Sequence, residues 1–469
     1  MRRLVAALLL VVFGDACAVG PNYTRPKQKA PSSFKSPSTA GESADLPKEW
    51  WRLYHDPQLD DLIDRANRWN QTLTRAVARV DEARALARVA AADYYPSLTL
   101  SPTAGIQRYS ANRPSQLTGQ PAGKGVTVGD FLLPLDLSYE VDVFGRVRRS
   151  VESANAQTAA SIDDEEVVRL SVQTDVAQYY FTLRFLDSQL EILERTLKSY
   201  QEQVRLLSVQ VRTGIASAIS LNQAEAQLQS TLAQQADVAR SRANEEHAIA
   251  ILCGSPAPNF NLAANPLRDT PVPAVPPGLP AAVLSRRPDV AEAEQNLIAA
   301  NAQVGVATAE LYPRVNLTGA AGFESSSIAS LFDWQSRLVS FLAGITAPIF
   351  EGGRLTENLK ATRARYRETV ATYTNQVLVA YGDVEDALTD LHASTTQVDN
   401  LNQAVRASDD YRRLADVQYT NGLVDYLIVI DAERTLLSNE LALAQATNLQ
   451  MAASIHLIKA LGGGWKSES

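Results

Sequence analysis

The chain has 469 residues and a formal net charge of −8, from 44 basic and 52 acidic side chains. No long basic run interrupts that balance, which argues against nucleic acid as a partner. Hydrophobic residues make up 45%, yet past residue 16 no apolar stretch approaches the roughly 20 residues of a membrane helix, so any bilayer-spanning form has to be a closed β-barrel.

The first residues read Met1-Arg2-Arg3, then an apolar run from Leu4 to Phe13, then Gly14-Asp15-Ala16-Cys17. A short basic segment before a ten-residue apolar core predicts a bacterial export signal over residues 1–16. Cys17 stands where a lipoprotein signal peptidase leaves a diacylated N-terminal cysteine. An ordinary cleavage site with an incidental cysteine is the other reading, and Gly14 and Asp15 depart from the usual lipobox. The only other cysteine, Cys253, lies at the apolar helix end Ile251-Leu252-Cys253-Gly254 and reads as a packing residue. With Cys17 acylated, no intrachain disulfide is expected. Residues 17–49, rich in Pro, Ser and Lys, read as an extended, lipid-anchored tail.

From here the chain repeats itself once. Gly214 to Glu225 aligns with Gly422 to Glu433, and Tyr94 to Leu100 aligns with Leu311 to Leu317. Phe144-Gly145-Arg146 corresponds to Phe350 through Arg354. The first repeat spans 50–253 and the second 281–465. Between them, Gly254 to Pro280 holds eight of the chain's 22 prolines and reads as an extended crossover. Each repeat is predicted as helix, two strands, a very long helix, a turn and a second long helix.

In the first repeat, Pro96 to Ser110 and Val126 to Val143 alternate apolar and polar residues. In the second, Arg314 to Phe323 and Leu338 to Phe350 do the same, with Val339, Phe341, Ala343, Ile345, Ala347 and Ile349 on one face. Period-two faces of about ten residues suit membrane-barrel strands. Two hairpins on a soluble core are the alternative. Four strands leave open edges that a bilayer does not tolerate, so the barrel reading requires strands from other copies. Ala111 to Gly125 and Glu324 to Arg337 have loop composition.

The long helices carry a heptad. Val176, Leu183, Leu190, Leu197, Val204 and Val211 fall every seven residues in the first repeat, and Val370, Val377, Val384, Leu391, Val398 and Val405 do so in the second. Such spacing predicts coiled-coil packing, with the first helix, from about 155 to 212, running roughly 85 Å. There is no phosphate loop, nucleophile elbow or zinc motif, and His55, His247, His392 and His456 are scattered. The acidic clusters Asp163 to Glu166 and Asp383 to Asp390 read as solvated helix faces, so no enzyme activity, metal or cofactor is expected.

Several strings occur in order along nearly the whole mature chain. They are Cys17 to Tyr23, Tyr139 to Ala154, Arg286-Arg287-Pro288-Asp289-Val290, Phe350 to Arg354, Gly422 to Leu437 and Lys459 to Trp465. Together with the doubled plan and the heptads, they make the chain resemble the TolC-like outer-membrane factors, best the efflux-lipoprotein (NodT-type) branch. That resemblance implies a mostly α fold with a membrane β-barrel portion. Long coiled-coil helices would form an α-barrel tunnel in the periplasm, beneath a 12-stranded barrel to which each chain of a homotrimer gives four strands. It implies an outer-membrane location and a passive exit duct for drugs or small solutes. The partners would be outer-membrane lipid, a periplasmic adaptor protein and an inner-membrane transporter of the RND type. Metal-ion efflux or type I secretion are alternative cargo classes, and a non-channel periplasmic coiled-coil scaffold is the rival from another class.

Two sets of residues follow from the resemblance. The hairpin turns Arg212-Thr213-Gly214 and Thr420-Asn421-Gly422, with Ser217 and Asp425 beside them, would be the tips that meet the adaptor. Leu427 and Asp431, one turn apart on a helix, match the family's apolar and acidic constriction rings. Their first-repeat counterparts are Ile219 and Gln223, so only the second repeat carries the acid. Relatives often have an arginine thirteen residues before that acid, where this chain has Gln418. Closure is therefore expected to draw on Gln418, Tyr419, Arg412, Arg413 or Leu427 alone.

Overall fold

The computed structural model describes residues 18–27, 30–35, 46–112, 125–267, 270–273, 275 and 280–466. The expected signal over 1–16, Cys17, and parts of the tail, the first strand loop and the crossover lie outside the described residues. In chain order the elements are α1 (Pro57–Trp69), α2 (Gln71–Ala92), β1 (Ser97–Leu100), β2 (Thr103–Tyr109), β3 (Val126–Val141), α3 (Arg146–Arg212) and α4 (Ala218–Leu252). There follow α5 (Pro280–Leu284), α6 (Pro288–Ala309), β4 (Arg314–Ser325), β5 (Arg337–Thr346), α7 (Arg354–Thr420) and α8 (Tyr426–Ala460). The duplication is legible in lengths alone. α2 and α6 have 22 residues each, α3 and α7 have 67, and α4 and α8 have 35. At 1.5 Å per residue α3 and α7 each extend about 100 Å. No helix among the described residues is long and apolar enough to cross a membrane.

The chain divides into two compact units, and the long helices contribute to both. One draws its described residues from 1–26, 81–159 and 294–371, and it contains the sheet. Its strands run antiparallel in the order β1-β3-β4-β5, with β2 also on β3. β1 and β2 keep a single register, Leu100 facing Leu135 and Thr103 facing Leu132. They are one strand interrupted at Ser101-Pro102, where proline lacks the ladder N–H. The same row contains Pro134 and, opposite it on β4, Gly322. There a Cβ would lie 2.0 Å from the Leu133 carbonyl oxygen. A proline, a break and a glycine in one row crease the sheet, the device by which a sheet curves.

The register sorts side chains largely by face. Leu98, Leu137, Gly319 and Phe341 form one row, and Leu100, Leu135, Ala321 and Val339 form another two residues along. On the opposite face the rows are Ser97, Ser138, Thr318 and Leu342, then Thr99, Asp136, Ala320 and Ser340. Leu98, Leu100, Val339, Phe341 and Ile345 are exposed, so the apolar face has no cover among the described residues. At the foot of the sheet, Asp142 accepts from the backbone N–H groups of Val147 (3.0 Å) and Arg148 (2.8 Å) and starts α3. Residues 18–25 are pinned beside it. Val19 donates to the Phe144 carbonyl (3.0 Å), Asn22 accepts from Arg149 (2.6 Å), Asn301 donates to the Pro21 carbonyl (3.0 Å), and Tyr23 and Arg25 both engage Glu294.

The second unit draws its described residues from 27–80, 160–293 and 372–469 and is helical. Its main core packs Val172 and the heptad residues Val176 and Leu183 of α3 against Trp50, Tyr54, Leu62, Ile249, Met451 and Ile455. Asp187 and Arg184 are fully buried on α3. Asp187 accepts from Arg184 (3.1 Å), Arg242 of α4 (2.6 Å) and the backbone N–H of Asn265 (2.9 Å), which ties the crossover to both helices. Arg287 spans α6, α7 and α8 by donating to Asp289 (2.6 Å), Asp383 (2.8 Å) and the Ala460 carbonyl (3.2 Å), which gives the Arg286-to-Val290 string a structural role. The acidic stretch at Asp163 departs from the expected solvated face. Asp163 is half-buried, and burial with the neighbouring Glu166 pushes its carboxyl up to about 6.

Candidate functional site

The turns that join α3 to α4 and α7 to α8 are built alike. Each long helix ends on a glycine with positive φ, +77° at Gly214 and +70° at Gly422. The residue after each glycine donates back into the last helical turn, Ile215 to the Gln210 carbonyl at 2.8 Å and Leu423 to the Gln418 carbonyl at 2.9 Å. This is the hydrogen-bond pattern that ends helices at a left-handed residue. Thr213, Thr420 and Asn421 fold their side chains onto the helix carbonyls of Val209, Asp416 and Val417, and Arg212 does the same with Ser208. Ser217 caps α4 by accepting from the Ile219 N–H at 3.1 Å, whereas the Asp425 side chain makes no cap bond. The polar turn residues are therefore largely self-satisfied. What the turns present instead is apolar, with Ile215 77% and Leu423 74% exposed. Sequence reasoning passed over these two because each follows a turn glycine and belongs to no periodic face.

Behind the turns, α3, α4, α7 and α8 share a small core of Leu207, Ala224, Ala415, Tyr426, Val429, Ile430 and Ala432. Burial of Val429, Ile430 and Ala432 fixes the rotation of α8, so Leu427 and Asp431 point away from it. Leu427 is 57% exposed, Asp431 is exposed, and the repeat counterpart Ile219 is exposed as well. Asp431 accepts a hydrogen bond at 3.2 Å from the hydroxyl of Tyr411 on α7. Partial desolvation and the Asp431 carboxylate push the Tyr411 phenol above its ordinary value, so it remains the donor.

Gln418, Tyr419, Arg412 and Arg413, expected to take part in closure, make no hydrogen bond to Asp431 within this chain's described residues. Gln418 is exposed, and its carbonyl is taken by the turn. Tyr419 donates to Gln210 at 3.2 Å and packs its ring against Tyr426 at a tilt of 58°. Arg412 holds Asp409 and Asp416, both at 3.1 Å, and Arg413 holds Asp410 at 3.0 Å. Tyr411 escaped the sequence reading because it lies 20 residues before Asp431. Only the hairpin's register brings the two together. Its position seven residues before Gln418, on the same heptad stripe, was the available signal.

Cys17 lies outside the described residues, but its neighbour Ala18 packs against Gly145 at the start of α3. Among the described residues no group of His, Cys, Asp and Glu could hold a metal ion. Cys253 is buried and free, and burial pushes its thiol up to about 11.

Residues 62–255 and 279–463 match the family model described as outer membrane efflux protein. The chain is 32% identical over 471 residues to the toluene efflux pump outer membrane protein TtgI of Pseudomonas putida, covering 99% of this chain and 98% of that one. It is 31% identical over 458 residues to the cation efflux system protein CusC of Escherichia coli, covering 96% of each. Among solved structures, the outer-membrane channel OprN superimposes with a TM-score of 0.88 at 30% identity, over 96% of this chain and all of that one.

Proposed function

Because the chain belongs to the outer membrane efflux protein family, we propose that it is the outer-membrane exit duct of a tripartite efflux system, and that its exposed apolar sheet face lies against lipid. The protein is a channel of the outer membrane, not an enzyme, and works with an adaptor and an inner-membrane transporter. The observation that carries the reading is the sorting of the sheet. An uncovered apolar face with Leu98, Leu137 and Phe341 in one row backs a face where Ser97, Thr99, Asp136, Ser138 and Thr318 outnumber Leu342, as a barrel wall between lipid and water requires.

The sheet has two edges free of strand partners among the described residues, on β1–β2 and on β5. Edges are not tolerated in a bilayer. We assign them to pairing between copies in a homotrimer, giving a 12-stranded barrel, with an RND-type transporter as the driving pump. The α3–α4 and α7–α8 turns would meet the adaptor, with Ile215 and Leu423 supplying its apolar contact. Leu427 and Asp431, steadied by Tyr411, would form the periplasmic constriction. Cys17 would carry acyl chains, and the seat of Ala18 beside Gly145 would hold them at the foot of the sheet. TtgI is named for toluene and CusC for cations, so one architecture serves unlike cargo, and we leave the choice of cargo to the pump.

Membrane fractionation tests the reading. Outer-membrane recovery of a heat-modifiable oligomer that resists high salt is expected. Release by high salt as a peripheral species would favour the scaffold instead.

A further inference from the structure

Glu433 lies two residues beyond Asp431 on α8 and points the other way. It is only 6% exposed. One carboxylate oxygen accepts from Ser199 (2.9 Å) and Gln203 (2.5 Å), both on α3, and Gln203 in turn accepts from the hydroxyl of Tyr426 at the start of α8 (2.6 Å). The other oxygen is buried with no hydrogen-bond partner among the described residues. The side chain also lines a cavity of about 510 Å³ between α3, α7 and α8, together with Arg195, Ser199, Arg406, Arg412 and Leu437. Its repeat counterpart on α4, Glu225, is exposed. A carboxyl kept buried, half-satisfied and beside open space in one repeat, while its twin stands in water, is costly to maintain as a mere packing residue.

We propose that Glu433 is a positioning residue for the constriction, fastening α8 to α3 through Ser199 and Gln203, so that the hold on the channel mouth changes with the charge on this one carboxyl. The proposal rests on the placement of Leu427 and Asp431 at the constriction. Release of α8 would move Glu433 into the neighbouring cavity, where water satisfies both oxygens. Burial is the largest influence on the carboxyl and raises its proton affinity, and Asp416 adds to this. The Gln203 and Ser199 hydrogen bonds and Arg412 act against it, without reversing it.

The sign follows. The fastened state binds the proton more tightly than the released, solvated state, so fastening is fully favoured below the ordinary carboxyl value of about 4.3 and weakens as pH rises through the raised one. The groups around it are Arg195 and Tyr200 on α3, Arg406, Asp409, Asp416 and Arg412 on α7, and Tyr426, Arg434 and Glu440 on α8, with Arg195 paired to Glu440. Burial pushes both tyrosines upward, away from the range in question. Asp409 and Asp416 are paired with Arg412.

Single-channel recordings of the assembled oligomer between pH 5 and 8 test this. Wild-type open probability is expected to rise with pH. Glu433→Gln keeps an oxygen for Ser199 and Gln203 but cannot charge, so it should stay flat at the wild-type acidic level. Glu433→Ala should hold open probability, at every pH, about tenfold above the wild-type acidic level, the factor that one ordinary buried hydrogen bond represents. Glu433→Gln with the full wild-type pH slope would overturn the proposal, even if Glu433→Ala failed to assemble. A Leu427→Ala/Asp431→Ala channel recorded alongside separates the two readings. If that channel stays closed, the constriction is misplaced. If it opens while Glu433→Gln keeps the wild-type slope, only the fastening is wrong.

Discussion

Leu427 and Asp431 occupy one exposed face of α8 because their neighbours Val429, Ile430 and Ala432 are buried. Truncating both, Leu427→Ala with Asp431→Ala, should raise single-channel conductance and admit large antibiotics while oligomers remain intact. Unchanged conductance in planar bilayers would refute the constriction. Tyr411→Phe removes the one donor seen on Asp431 and should give a smaller change of the same sign. Elsewhere at this scale, the Cys253 thiol is buried against the Leu62 carbonyl and pushed up to about 11. It should resist maleimide at pH 8 in the native protein and react on denaturation. Rapid native labelling would contradict the packing role. The family resemblance singled out Leu427 and Asp431, and the asymmetry of the repeats marked only the acid. The sequence did not disclose Tyr411, whose contact with Asp431 depends on the register of the α7–α8 hairpin, or Glu433, whose partners lie on α3 of the other repeat.

At the level of elements, heptad spacing translated directly into α3 and α7, since a seven-residue apolar repeat has little choice but a packed helix. Period-two alternation likewise led to the strands. What alternation did not reveal is the break at Ser101-Pro102, because Leu100 and Ala104 keep the pattern running through it. The crossover shows the opposite limit. Its prolines announced an extended segment, but the anchor that holds it, Asp187 with Arg184 and Arg242, sits inside helices. Asp187→Ala would strand two arginines in the interior. A loss of about 3–5 kcal/mol is expected for breaking a buried ionic group this way, read as a lowered midpoint for thermal dissociation of the oligomer. Asn at the same position should recover part of it. A wild-type midpoint for Asp187→Ala would show that the network contributes nothing.

For the molecule as a whole, the composition excluded membrane helices, and the proposed barrel would close the sheet's edges on other copies of the chain. Paired cysteines, one on the outer edge of β2 and one on β5, should form disulfides between neighbouring chains and yield a covalent ladder ending at trimer on denaturing gels. Ladders that stop at dimer would count against threefold closure. Bulky substitutions of Ser217 or Asp425 should impair efflux without lowering oligomer levels, and crosslinkers placed there should capture an adaptor. Failure of every such crosslinker would remove the turns from the docking surface.

The seat of residues 18–25 carries a consequence for the order of events during biogenesis. Val19 and Asn22 are held by Phe144 and Arg149, but Pro21, Tyr23 and Arg25 are held by Asn301 and Glu294, made some 270 residues later. The segment synthesised first thus has no complete berth until both halves of the chain have met. Until then the N-terminal leash stays slack, and its docking reports that the monomer is finished.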